Sequence, residues 1–233
     1  MAMGPTRKAR LDTGGSQLRT PRAAAVAGII FSLLLISALV LLRISAPADP
    51  GKAGAWLTDS SGRTAVAVSL NLVPFAGIAF LWFIGVLRDR IGGREDRFFA
   101  TVFLGSGLLF VGMLFVAAAV AGGLIAAATS HPAALPGADI LALGRNSTSI
   151  LLNVYCMRMA AVFTITTVTI ARRTGVIPRW LSTTGLATGL VLLVGVGISP
   201  WVELLFPAWI LALSIEILAS GPLAASAATG TAA

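Results

Sequence analysis

The sequence predicts an all-α protein in which six transmembrane helices pack as one bundle, with both termini on the cytoplasmic side (N-in, C-in) and no soluble domain. Composition is the first observation behind this prediction. Hydrophobic residues make up 57% of the 233-residue chain and charged residues only 11%, whereas a soluble domain carries about 25% charged residues. The second observation is that the charges fall in short blocks between apolar runs, a pattern typical of membrane proteins.

Six apolar runs have the length of transmembrane helices, which need about 20 mostly apolar residues. The third run would reach roughly 46 Å as a helix, so it must tilt or end early at Gly122 and Gly123. Only Ser199 and Pro200 separate the last two runs, which indicates a tight helical hairpin. The six runs are 23–44, 65–87, 98–128, 149–170, 181–198 and 201–219.

The basic residues predict the orientation. Twelve of them flank the helices on one side of the membrane, in the segments 1–22, 88–97 and 172–179, and only four lie on the other side. By the positive-inside rule the side with twelve is cytoplasmic, which places both termini there. The four residues on the outer side are Arg43, Lys52, Arg63 and Arg145.

The chain divides into a basic cytoplasmic tail (1–22), the helical bundle (23–220) and a C-terminal cytoplasmic tail (221–233). The first tail is polar and arginine-rich, so we expect it to be disordered and to contact anionic lipids. The last tail consists of small residues and is expected to be flexible. Residues 46–48 (Ala-Pro-Ala) resemble a cleavage site, but the first apolar run exceeds the 7–15 residues of a signal peptide, so we expect an uncleaved anchor.

One charged residue lies midway through an apolar run. Arg158 falls about 13 Å from the outer end of the run 149–170, where an unpaired guanidinium costs roughly 2.5–17 kcal/mol. Glu203 and Glu216 on the last helix, and Asn71 on the second, are the polar groups expected within reach. Two interpretations stay open: a buried pair or network that locks the helices together, and a polar cavity that binds a solute.

The fourth helix is the least lipid-like of the six. One of its faces is polar or small at most positions, so we expect this helix to be central in the bundle, and its threonines to bond to carbonyls of their own helix. Asn146 is expected to cap its start. The face comprises Asn153, Met157, Ala160, Thr164 and Thr167. The full candidate intramembrane polar network comprises Arg158, Asn71, Asn153, Tyr155, Glu203 and Glu216.

Two other patterns indicate helix packing or connection. Gly185-x-x-x-Gly189 on the fifth helix allows close approach of a neighbouring backbone, within the chain or between two copies. The cytoplasmic loop mixes both signs of charge, which predicts a compact connector that acts as a hinge or as a docking surface. It lacks the lysine and the spacing of a phosphate-binding loop. Its charged residues are Arg88, Asp89, Arg90, Arg94, Glu95, Asp96 and Arg97.

No catalytic or metal site is expected. A single histidine, His131, cannot build a zinc site. The segment 104–107 (Leu-Gly-Ser-Gly) resembles the rhomboid-protease motif, but its first glycine is misplaced and no helix carries a histidine base. The sequence therefore predicts a protein that is not an enzyme and holds no cofactor. The net charge of +8 lies in the loops, so lipid rather than nucleic acid is the expected anionic partner.

Residues 80–90 (FLWFIGVLRDR) and 95–103 (EDRFFATVF) resemble uncharacterised polytopic membrane proteins of actinobacteria. The resemblance covers helices two and three with their loop, about a quarter of the chain. It implies an integral protein of the bacterial inner membrane and brings no activity with it.

Two functional classes follow. A non-catalytic membrane subunit or scaffold is favoured, because six short-looped helices with a handful of buried polar groups offer little machinery for transport. The alternative is a small-solute transporter or channel-like protein with its polar site around Arg158. Besides the lipid bilayer, the expected partner is another membrane protein or a second copy of the chain.

Overall fold

The computed structural model describes residues 20–45, 60–91, 97–130, 137–175, 177–195 and 199–229. Within these residues it contains helices and turns and no strand, so the all-α prediction is confirmed. Five of six helices are long and apolar enough to cross a membrane, and the fifth in the chain is shorter. The helices are α1 (Thr20–Ser45), α2 (Ser60–Ile91), α3 (Arg97–Ser130), α4 (138–174), α5 (Arg179–Val194) and α6 (200–229).

Helix α4 begins earlier than predicted and is interrupted. It consists of an α-helix over Ala138–Ile150, a π-helical segment over Leu151–Cys156 and a second α-helix over Met157–Thr174. The predicted cap at Asn146 is wrong, because this residue lies inside the first part of the helix. Asp139 lies in the first turn instead, where a carboxylate stabilises the positive end of the helix dipole.

The ends of α3 and α6 also differ from the predicted limits. Helix α3 continues through Gly122 and Gly123 to Ser130, so it is longer than the thickness of a bilayer core and would tilt in it or protrude from it. Helix α6 starts as a 3-10 turn over Pro200–Leu204, continues as an α-helix over Leu205–Thr229 and so extends past the predicted end at residue 219. The added residues are rich in alanine, which has the highest helix propensity.

The helices form a closed ring in the order of the chain. Each helix packs against the next, and α6 packs against α1, so the first and last helices are neighbours. The α1–α2 interface is the most extensive. We call the end of the bundle at which α1, α3 and α5 end, and α2, α4 and α6 begin, the Arg43 end.

Phenylalanine side chains from five helices fill the centre of the ring. The ring centroid of Phe80 on α2 lies 4.5 Å from that of Phe31 on α1 and 5.2 Å from that of Phe110 on α3. It lies 5.1 Å from that of Phe163 on α4 and 5.7 Å from that of Phe206 on α6. All five are completely buried. We call these five residues the phenylalanine plug.

Helix α5 approaches its neighbours through the predicted pair of glycines. A Cβ atom added at Gly185 would lie 2.5 Å from the indole nitrogen of Trp209 on α6 and 2.6 Å from Val168 on α4. One added at Gly189 would lie 2.6 Å from the Ile165 side chain on α4. The glycines therefore serve packing within the chain, which was the first of the two roles expected for them.

Parts of the predicted tails and loop lie outside the described residues. This holds for residues 1–19 and 230–233. Of the charged loop, Arg88 is exposed at the end of α2. The loop residues that lie outside the description, in whole or in their side chains, are Asp89, Arg90, Arg94, Glu95, Asp96 and Arg97.

Candidate functional site

An ion pair between Arg43 and Glu203 joins two helices. Arg43 lies in the last turn of α1, and Glu203 lies in the 3-10 turn that begins α6. Arg43 Nη2 donates a hydrogen bond to Glu203 Oε1. The Glu203 side chain is only 4% exposed and that of Arg43 is 23% exposed. The pair therefore joins the first and last helices at the closure of the ring.

Local sequence explains why Glu203 occupies this position. Ser199 adopts an extended conformation before the turn, and its side chain accepts a hydrogen bond from the Trp201 amide. Pro200 follows at the first helical position, where a proline loses no helical hydrogen bond. The cap and the proline fix the start of the 3-10 turn. Glu203 is the fourth residue of this turn and contacts Arg43 of the neighbouring α1.

Glu203 is therefore not the partner of Arg158 that the sequence suggested. The position of Arg43 in the last turn of an apolar helix was visible in the sequence. The contact between α1 and α6 was not visible, because 160 residues separate the two side chains. Ring closure is what brings them together.

Arg158 bonds to its own helix. Its Nη1 atom donates to the carbonyl oxygen of Val154 at 3.2 Å, one turn nearer the Arg43 end. The side chain is half-buried. Within the described part of the chain, no carboxylate pairs with Arg158. The expected pairing of helices four and six through this residue is thus replaced by the α1–α6 pair.

The other members of the predicted network are dispersed. Asn71 is exposed and donates to Ala67 of its own helix at 2.8 Å. Asn153 donates to the carbonyl and the hydroxyl of Ser149 at 3.0 and 3.1 Å. Tyr155 is 53% exposed on α4, and Glu216 is half-buried far along α6. The structure therefore brings Arg43 and Glu203 together, and does not assemble the six predicted residues into one network.

The threonines of α4 satisfy their own hydroxyl groups, as predicted. Thr164, Thr166, Thr167 and Thr169 each donate to the carbonyl four residues earlier, at 2.7–2.8 Å. Such bonds allow a polar side chain to lie in an apolar environment without a partner on another helix. The threonine stripe is thus a packed surface and provides no free donors for a solute.

The π-helical segment immediately before Arg158 was not predicted. It spans Leu151–Cys156 and includes Asn153 and Tyr155. A π-helical turn inserts an extra residue into the helix and often occurs at functional sites. Its sequence carries no proline or glycine to mark an irregular helix, so apolar periodicity alone gave no signal for it.

The described residues contain no group of three or more histidine, cysteine or acidic side chains that could hold a metal ion. An apolar cleft lies between α1, α2, α3 and α4 toward the Arg43 end, with Leu35, Ser69, Leu114 and Leu152 among its walls. Its interior of about 20 Å³ has room for about one water molecule. The Ser69 hydroxyl donates a hydrogen bond to the Ala38 carbonyl at 2.7 Å, so the donor of this side chain is already used.

Comparison with known protein families, with curated proteins and with solved structures found no match to this chain.

Proposed function

We propose that the chain is a multi-pass protein of the bacterial inner membrane that acts as a non-catalytic subunit or scaffold. The observation that carries this proposal is the phenylalanine plug. Five buried aromatic rings occupy the centre of the ring of helices, where a transport pathway requires space and polar groups. Two buried hydroxyl groups of the bundle bond to their own helices, Ser32 to the Gly28 carbonyl and Thr164 to the Ala160 carbonyl.

The proposed topology has six crossings, and α5 is the short one. Its 16 residues span about 24 Å, against a hydrocarbon core of about 30 Å. A short helix can cross where the bilayer thins around it. With the positive-inside rule, six crossings place the Arg43 end outside the cell and both termini in the cytoplasm.

Cysteine labelling tests this topology. Native Cys156 is completely buried, so the unmodified chain should give no background with a membrane-impermeant maleimide. We expect Asp139→Cys, at an exposed position at the Arg43 end, to react in intact spheroplasts. Arg88→Cys, exposed at the opposite end, should react only after lysis. The reverse pattern would overturn the proposed orientation.

Affinity purification tests the proposed role. The full chain is tagged, extracted in a mild detergent and analysed by mass spectrometry for both proteins and small molecules. A scaffold should retain a protein partner, or a second copy of itself, in a fixed ratio and no solute. Retention of one small solute per chain without a protein partner would overturn the scaffold proposal.

A second candidate function is transport of a small solute. It is favoured by one observation, the π-helical segment next to Arg158 in α4, because such segments often mark functional sites. The purification experiment separates the two candidates, since each predicts a different retained species.

A further inference from the structure

Arg158 lies on the outer surface of the ring of helices. The inward positions of α4 near it are Ala160 and Phe163, both completely buried, with Phe163 in the plug. At 3.6 residues per turn, Arg158 is about 140–200° around the helix from these two positions. Its half-buried side chain therefore faces lipid rather than the interior of the bundle.

The hydrogen-bonding capacity of this surface is largely unused. The Val154 carbonyl takes one of the five N–H donors of the Arg158 guanidinium. Tyr155, one turn away, is 53% exposed. Among the described residues, no hydrogen-bond partner of its hydroxyl is found. Two donor groups, one of them positively charged, thus face the bilayer together.

Helix α5 ends beside Arg158. Gly189 of α5 lies against Ile165 and the Ala161 carbonyl of α4. Arg158 lies three and seven residues before Ala161 and Ile165, at the edge of the α4 surface that contacts α5 and toward the Arg43 end. Because the two helices are antiparallel neighbours, the α5 positions at the same height as Arg158 are three to seven residues beyond Gly189. The last residue of α5 is Val194, so Arg158 lies level with the end of this helix.

The short α5 shifts the bilayer boundary toward Arg158. Arg172 lies fourteen residues after Arg158, about 21 Å along the helix. With Arg172 at the cytoplasmic boundary of a hydrocarbon core about 30 Å thick, Arg158 lies about 9 Å below the boundary at the Arg43 end. Helix α5 spans about 6 Å less than that thickness. Thinning around α5 would bring the boundary to roughly 3 Å from the level of Arg158, within the reach of an arginine side chain.

We infer that Arg158 and Tyr155 form a binding site for the phosphate group of a phospholipid, in the leaflet at the Arg43 end and beside the end of α5. A guanidinium binds phosphate oxygens through two parallel N–H bonds, and the tyrosine hydroxyl supplies a further donor. The acyl chains would lie along the exposed side of α4. This inference rests on the proposed six-crossing topology and not on the scaffold role proposed for the whole protein.

Native mass spectrometry of the full-length chain in detergent tests the site. The probes are phosphatidylglycerol, phosphatidylcholine, diacylglycerol with the same acyl chains, and inorganic phosphate. We expect both phospholipids to bind at least tenfold more tightly than diacylglycerol, which lacks the phosphate, and inorganic phosphate not to bind measurably. Arg158→Gln should abolish this tenfold preference, and Arg158→Lys should retain part of it.

Two further variants guard against an effect on folding alone. Tyr155→Phe keeps the charge and the ring. It should weaken phospholipid binding about threefold and leave diacylglycerol binding unchanged, so the preference for phosphate should fall about threefold. Arg179→Gln removes an exposed arginine at the start of α5, at the opposite end, and should leave binding unchanged. If Arg158→Gln does not fold, the Tyr155→Phe result decides the test, and unchanged binding in that variant counts against the site.

Three outcomes would overturn the inference. Equal binding of diacylglycerol and phospholipid would mean that acyl chains alone are recognised. Inorganic phosphate binding that depends on Arg158 would indicate a site for a soluble anion. A photo-crosslinker at position 155 that captures a protein carboxylate partner instead of lipid would assign the surface to a protein interface.

Discussion

Breaking the Arg43–Glu203 pair from its two sides should have very different effects on stability. Arg43→Met leaves a carboxylate that is 4% exposed without its counter-ion, and stranding one member of a buried pair costs about 3–5 kcal/mol. Glu203→Gln leaves the guanidinium, which is 23% exposed, and retains an amide oxygen as acceptor. That loss should be about 1–2 kcal/mol.

The double variant makes the argument quantitative. Arg43→Met combined with Glu203→Gln contains no stranded charge, so its free energy of unfolding should lie within about 1 kcal/mol of Glu203→Gln alone. The assay is equilibrium unfolding of the purified chain in mixed micelles of mild detergent and dodecyl sulfate. The reasoning is refuted if Arg43→Met lowers stability by less than about 1 kcal/mol, or if the double variant is as unstable as Arg43→Met.

Arg158→Met is the matched control for this series. A buried pair, one of the two interpretations that the sequence left open, would make removal of Arg158 strand a carboxylate and reduce stability by several kcal/mol. In the structure Arg158 faces outward and bonds to Val154, so the change should alter stability by less than about 1 kcal/mol, with some gain in a lipid bilayer. A loss of stability as large as that of Arg43→Met would support the interpretation of Arg158 as a member of a buried pair.

The packing of the bundle gives two more predictions for the same assay. Phe80→Ala removes the central ring of the plug and should reduce stability by about 3–5 kcal/mol, whereas Phe75→Ala, 63% exposed on the same helix, should cost less than about 1 kcal/mol; similar losses would contradict the plug. Gly185→Ala places a methyl group 2.5 Å from the Trp209 indole and should cost about 1–3 kcal/mol. Its control, Gly85→Ala, meets no atom within 4 Å and should be neutral or slightly stabilising, so equal effects would contradict the close packing of α5.

Apolar run length predicted the helices well and their ends less well. The runs 23–44 and 98–128 correspond closely to α1 and α3, because long unbroken apolar stretches leave the backbone no alternative to a helix in lipid. The start of α4 at Ala138 was missed because residues 138–148 carry polar side chains that run length treats as loop. Helix formation there depends on local propensity, which an apolar-run criterion does not measure.

The candidate site was less predictable than the fold. Arg158 and Glu203 were identified as unusual residues from their positions in apolar runs, and both lie where the helices were expected. Their partners depend on the order of helices around the ring and on the rotation of each helix. Sequence periodicity assigned Asn153, Met157, Ala160, Thr164 and Thr167 to one face of the helix. The last four are buried, whereas Asn153, in the π-helical segment, is half-buried. Periodicity could not indicate that α1 and α6 are neighbours.

The ring order has a consequence for biosynthesis. Because each helix packs against the one made before it, the proposed six-crossing bundle can assemble stepwise as the chain emerges, with every new helix meeting its neighbour already in place. Among the interfaces of the ring, the one between α1 and α6 joins the two helices farthest apart in the chain, and it must wait until α6 is inserted. Through that interval Arg43 has no counter-ion from Glu203, and the flank of α1 that will contact α6 is open. Insertion of α6 gives Arg43 its counter-ion and covers the open flank of α1, so the ion pair forms when the ring closes.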